Sequence, residues 1–395
     1  MVSLVPCAEP GITVCGLPGP FIGDLDSQGP AESMLRSPSD GDPPRRACEP
    51  DAVGTARSGV WSAVMTGAKV DGVDATPNDQ WVDDANVAVG GDIDTNSAPG
   101  AKLLREACSA THGVLAHREY QPLITIQQGE HEDLTVFCMP GAGDNVVSFL
   151  PLANELGPMW TVYGLQPRGL DGEMAPYTDV QTAAEAYLRG IDAARLDAST
   201  PLHLIGHSFG GWVAFETALR LHAHGRSIAS LTILDSDAPH GDGIPGFPYT
   251  STDVLNRLIV ALENSTGKSL DVSVRSLEQA DEKGKRQLVH EGMKRVGLMP
   301  KGSKAEDIAG LVCTFGAALR TTYCPERVYH GLVRLVWAAD DALDDLANMR
   351  AQLKTSAQWR RFAPALTSWC SPGNHYTMLR QPNVATLVDW WTGRR

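Results

Sequence analysis

A serine stands between two glycines in "GHSFG", Gly206 to Gly210, with the apolar run "LHLI" before it and "WVAFETALRL" after it. Ser208 therefore falls on the corner where a strand gives way to a helix. Such a corner is strained, and the positions two before and two after the serine, here Gly206 and Gly210, must be small. The turn would hold the hydroxyl clear of the sheet and aim the backbone N–H of Phe209 at an oxyanion, near the positive end of the following helix. A hydroxyl attacks only when a base takes its proton, and that base must itself be held by a third group. His375, in "SPGNHYTML", supplies an imidazole in a loop after the last apolar run. His203 and His207 lie on the nucleophile strand, and His222 and His224 on the helix after it, so none of these four has the chain order Ser, acid, His. Two rims compete for the acid: Asp235 in "TILDSDAP", and Asp340 with Asp341 in "WAADDALDD". Both lie at carboxyl ends of strands, where open parallel sheets bind ligands. The residues alone divide the acid evenly between them, with Asp237, Asp344 and Asp345 also readable as turn residues. The second oxyanion donor should follow an early strand. "FCMPGAGDN" offers it, with Pro140 and Gly141 turning the backbone so that the N–H of Ala142 faces the site. No Lys follows these glycines, which argues against a nucleotide-binding loop.

Those residues need a frame. From about Pro122 onward, short strand-like runs alternate with amphipathic ones: 134–139, 160–165, 202–207, 230–235, 332–338 and 366–370 read as strands. Helical stretches follow the first three, and "NVATLVDWW" forms a last one. Nearly continuous apolar strands separated by helices predict an α/β fold with a mostly parallel sheet covered on both faces. Roughly a hundred residues without a good strand separate Asp235 from Leu332, with helical patterns at 253–263 and 273–296. A gap of that length reads as a helical lid inserted above the sheet, about 240–331.

The first 100 residues carry 11 Pro and 13 Gly with weak periodicity, a composition at the border of low complexity. They also hold 5 Lys/Arg against 15 Asp/Glu, so −10 of the net −14 resides there. We expect a flexible leader over 1–80, and a short helical patch at 101–114. The negative charge argues against nucleic acid, which requires a basic surface. The N-terminus lacks early Lys/Arg and is broken by Pro and Gly, unlike a secretory signal, and no run reaches the length of a membrane span. Eight cysteines without CxxC spacing argue against a disulfide or zinc scaffold. A soluble, cytoplasmic protein without a metal is expected.

Five separated stretches, "VFCMPGAGDNVVSFLPLANELG", "VYGLQPRGLDGE", "LIGHSFGGWVAFETALRL", "LTILDSDAP" and "GNHYTMLRQPNV", together resemble the thioesterase domain of non-ribosomal peptide and polyketide synthases, an α/β-hydrolase. The resemblance spans roughly 122–395. It implies Asp235 as the acid, with Asp341 demoted, so that Ser208, Asp235 and His375 form a triad with Ala142 and Phe209 as oxyanion donors. It further implies an acyl or peptidyl thioester substrate, delivered in trans by a carrier protein whose phosphopantetheine arm makes any bound cofactor unnecessary. Release of the finished chain is the activity expected, by hydrolysis or macrocyclisation. An editing thioesterase that clears wrongly loaded carriers, or a general serine esterase, would share the fold. Residues 81–121 faintly resemble the second half of a carrier domain, but Ile93 stands where the attachment serine should follow Gly90, Gly91 and Asp92, so a degenerate remnant and an unrelated linker both fit. Seven basic residues of the lid segment, from Lys283 to Lys304, read either as a docking face for an acidic carrier or as a solvated helix surface.

Overall fold

A computed structural model describes residues 120–131, 133–239 and 248–394. The leader, the 101–114 helical patch and all but the last two residues of 81–121 lie outside the described residues. Among the described residues, seven strands form one sheet: β1 (Leu123–Gln127), β2 (Thr135–Met139), β3 (Thr161–Leu165), β4 (Leu202–His207), β5 (Ile228–Leu234), β6 (Val333–Ala338) and β7 (Leu366–Ser371). Their order is β1-β3-β2-β4-β5-β6-β7. Only the β1/β3 pairing is antiparallel. Every residue of β2 and β3 is buried, which is why these strands read as unbroken apolar runs rather than alternating ones. Six strands lie within two residues of their sequence-predicted bounds. β1 was not foreseen: "LITIQ" is a half-buried edge strand that pairs on one side alone, so it lacks the signal of a covered strand.

Helices α1 (Leu150–Leu156), α2 (Val180–Ala193) and α3 (Phe209–Ala223) follow β2, β3 and β4. Between β5 and β6 lies the lid, with α4 (Ser251–Thr266), α5 (Val274–Gln279), α6 (Glu282–Val296) and α7 (Ala309–Arg320). The pattern read as one helix over 273–296 is two, because the Asp281 carboxylate accepts the N–H of Gly284 at 2.7 Å and starts a new helix. The α7 sequence, "AGLVCTFGAALR", has Thr314 and Arg320 as its polar residues and buries Leu311, Thr314, Phe315 and Ala318 on one side. The chain then forms α8 (Asp345–Trp359) after β6 and α9 (Asn383–Thr392) after β7. Asp344 caps α8 by accepting the Ala347 N–H at 2.7 Å, which makes it the start of a helix rather than a simple turn.

The two-residue repeat of the strands divides the core. Phe137, Leu204, Ile233 and Leu335 face α2, α3 and Trp359, whereas Val136, Cys138, Ile205 and Val336 face α1 and α9. The lid has an apolar cluster of its own, including Leu258, Leu262, Leu277, Met293 and Phe315. Its basic residues are partly neutralised locally: Lys285 lies 2.7 Å from Glu282, Lys294 2.9 Å from Glu291 and Arg295 3.3 Å from Asp271. The C-terminal helix is fixed to the sheet by Trp391 Nε1–H, which donates to Thr232 Oγ1 at 2.9 Å, and by Arg334, which donates to the Trp391 carbonyl at 2.7 Å. That anchorage fixes one end of the loop carrying His375.

Candidate active site

Ser208 sits at the junction of β4 and α3 with φ 53° and ψ −125°, a conformation that non-glycine residues rarely adopt. Its N–H donates to the Leu234 carbonyl and its carbonyl accepts from the Gly211 N–H, both at 2.8 Å, so the strained turn is pinned on both sides. The flanking glycines are required by close approach. A Cβ on Gly206 would lie 2.2 Å from the Gly210 carbonyl oxygen, and one on Gly210 would lie 2.2 Å from that of Met139. Although Ser208 occupies the N-cap position, its side chain makes no capping bond, which leaves the hydroxyl available for chemistry.

His375 lies in the loop between β7 and α9, and its Nδ1–H donates to Asp235 Oδ2 at 2.7 Å. This contact directs the other ring nitrogen, Nε2, away from the carboxylate as a proton acceptor. Asp235, just past β5, has φ 44°, and its second oxygen accepts the Ala338 N–H at 3.0 Å. Both carboxylate oxygens are thus engaged, and the side chain is only 12% exposed. Of the two rims, it is Asp235 that meets the imidazole. Asp341 instead accepts from Asn374 Nδ2 at 2.6 Å, holding the residue next to His375. Asp340 accepts the Ala342 N–H at 2.9 Å as a turn residue does.

Ser208 and His375 together line two cavities. One, of about 650 Å³, runs under α4 and α7 past Leu258, Leu311 and Phe315. The other, of about 970 Å³, opens toward Trp212, Trp337 and the start of α8. Ala142 lines both. Phe209 is the first residue of α3, so its N–H has no acceptor within the helix. Gly141 lets the Ala142 loop pass close to Ser208: a Cβ there would stand 3.2 Å from the Ser208 Cβ. Among the described residues, no cluster of His, Cys, Asp and Glu suited to a metal ion is found.

His207, set aside in the sequence for its chain position, lies against the site. Its Nε2 is 3.0 Å from the His375 carbonyl oxygen, and the two rings are 4.8 Å apart. The signal for that contact is tertiary, between residues 168 apart in the chain. His203 has a structural place at the sheet's other end, with Nδ1 2.8 Å from Ser230 Oγ and its ring between Trp160 and Trp391.

The thioesterase domain family model matches residues 134–391, which takes in Ser208, Asp235 and His375. The chain belongs to the thioesterase domain family. This thioesterase is 29% identical over 295 residues to chondramide synthase cmdD of Chondromyces crocatus, covering 73% of the chain and 7% of that protein. It is also 29% identical over 120 residues to enterobactin synthase component F of Escherichia coli O157:H7, covering 30% of the chain and 9% of the relative. The chain therefore spans under a tenth of either relative's length. A four-domain non-ribosomal peptide synthetase, holo-AB3403, superposes with TM-score 0.60 at 20% identity, over 74% of this chain and 21% of that one. The Vlm2 thioesterase domain gives 0.50 at 20% identity, over 69% and 96%. These structures share the α/β-hydrolase fold. The thioesterase is thus an enzyme of the thioester-hydrolase class, related to domains of non-ribosomal peptide synthetases. No helix among the described residues is long and apolar enough to cross a membrane.

Proposed function

We propose that this thioesterase releases an acyl or peptidyl chain from the phosphopantetheine arm of a separate carrier protein, through an ester on Ser208. His375 Nε2 takes the Ser208 proton as the oxygen attacks the thioester carbonyl, and Asp235 stabilises the imidazolium that forms. The N–H groups of Ala142 and Phe209 hold the oxyanion, each donor of this kind contributing about 10² to 10³ in rate. Collapse of the tetrahedral adduct breaks the C–S bond, and His375 returns its proton to the leaving thiolate. Water then attacks the Ser208 ester to give a free acid, or an amine or hydroxyl of the chain attacks to give a ring. His375 is the base in that second step as well.

The observation that carries this reading is the 2.7 Å contact between His375 Nδ1 and Asp235, beside a strained Ser208 whose hydroxyl is not used for capping. Two large cavities at the nucleophile favour release of an extended chain over editing of short acyl groups. Intact mass spectrometry after mixing with a panel of acyl and peptidyl pantetheine thioesters tests the proposal. Long peptidyl chains should accumulate on the protein and leave as acid or ring. Preference for acetyl groups would instead assign an editing role, and equal turnover of simple oxygen esters a general esterase.

A further inference from the structure

The residue before the nucleophile touches the base from the opposite side of the site. His207 Nε2 lies 3.0 Å from the main-chain carbonyl oxygen of His375. A carbonyl only accepts, so Nε2 must carry a hydrogen, and Nδ1 of the neutral ring must be bare. Nδ1 is indeed buried with no hydrogen-bond partner among the described residues, against Gly141, where an added Cβ would approach it to 3.3 Å. The rings of His207 and His375 are 4.8 Å apart and inclined at 37°, so His207 also supports the face of the base. We propose that His207 is a positioning residue, whose Nε2–H latches the main chain of His375 to the nucleophile strand and sets the base at its working distance from Ser208.

The geometry explains why one latch is not enough. Asp235 holds Nδ1 of the His375 ring, and Asp341 holds the neighbouring Asn374, but both reach the loop from the β5 and β6 rims. Among the hydrogen bonds of the described residues, it is that of His207 that joins the loop to β4, the strand that leads directly into Ser208. A displacement of about 1 Å between base and nucleophile is enough to cost on the order of 10²-fold in rate. The latch must also stay neutral, because a second cation beside the imidazolium would oppose proton uptake by His375. Burial, together with the charge of His375, pushes the His207 imidazole down to about 3, which favours the uncharged donor at neutral pH.

This inference rests on His375 being the base, and its test separates the two. In glutamine the amide nitrogen lies as many bonds from Cα as Nε2 does in histidine, whereas in asparagine it lies one short. His207→Gln, His207→Asn and His207→Phe are compared with wild type by the rate of fluorophosphonate labelling and by kcat and KM for a pantetheine thioester. We expect His207→Asn and His207→Phe to lose about 10- to 100-fold in labelling rate and kcat with KM within about twofold, while His207→Gln stays within about fivefold of wild type. Both steps that use the base should slow together. Should His207→Phe not fold, the glutamine and asparagine pair still decides. Equal losses in Gln and Asn, or wild-type rates in Asn, would overturn the latch while leaving the triad intact. A wild-type protein that takes up neither probe nor thioester would overturn the triad, and the latch with it.

Discussion

The rim of the sheet and the lid above it are built to different tolerances. At the rim, main-chain atoms pass so closely that Gly206 and Gly210 have no room for a methyl group, and the Ser208 corner, Asp235 and the His375 loop are each tied to another element by hydrogen bonds. In the lid, the four helices of the described residues pack on their own apolar cluster, and two of them end in capping devices, the Thr250–Asp253 capping box and left-handed Gly267 and Gly297. The contrast separates two tasks. On the proposed function, backbone geometry at the rim fixes where chemistry happens, whereas side chains of the lid shape what can reach it.

Substitutions can break or sharpen that division. The largest effect expected is from Ser208→Ala, which should reduce thioester turnover by about 10⁶ with the fold intact, read by steady-state rates and thermal melting. Asp235→Asn should follow, at about 10⁴ in kcat, because the amide no longer selects the Nδ1–H tautomer of His375. Gly210→Ala tests the rim's tolerance: the 2.2 Å approach to Met139 should cost more than about 3 kcal/mol in denaturant unfolding. Phe315→Ala, in the lid cluster and on the wall of the smaller cavity, should alter chain-length preference in kcat/KM while fluorophosphonate labelling of Ser208 stays near wild type. Loss of labelling there would show that lid and rim are not separable. The smallest effect belongs to Thr250→Ala, which removes a helix cap worth about 1 kcal/mol and should raise hydrogen exchange in α4 alone.

The same contrast governs what could be read in advance. The corner at Ser208 was legible because its glycines and the switch from strand to helix are local and contiguous. The inner strands β2 and β3 were legible because burial on both faces leaves a continuous apolar run, which the half-buried edge strand β1 lacks. The acid was not decidable from residues alone, since Asp235 and Asp341 both end strands, and only the resemblance favoured Asp235. In the structure the separation is spatial: one carboxylate meets the His375 ring and the other meets Asn374. His207 carried no sequence signal for its contact, which exists only once the loop after β7 folds back over β4. In the lid, α7 was missed because it carries so few polar residues, Thr314 and Arg320, that its buried side is poorly marked in the sequence.

Peptide mapping of the protein trapped during turnover of a pantetheine thioester addresses the covalent step itself. The acyl group should be found as an ester on the peptide containing Ser208, should be absent from Ser208→Ala, and should form at a strongly reduced rate in His375→Ala. Turnover that leaves Ser208 unmodified, or an acyl group carried by another residue at the wild-type rate, would contradict the account.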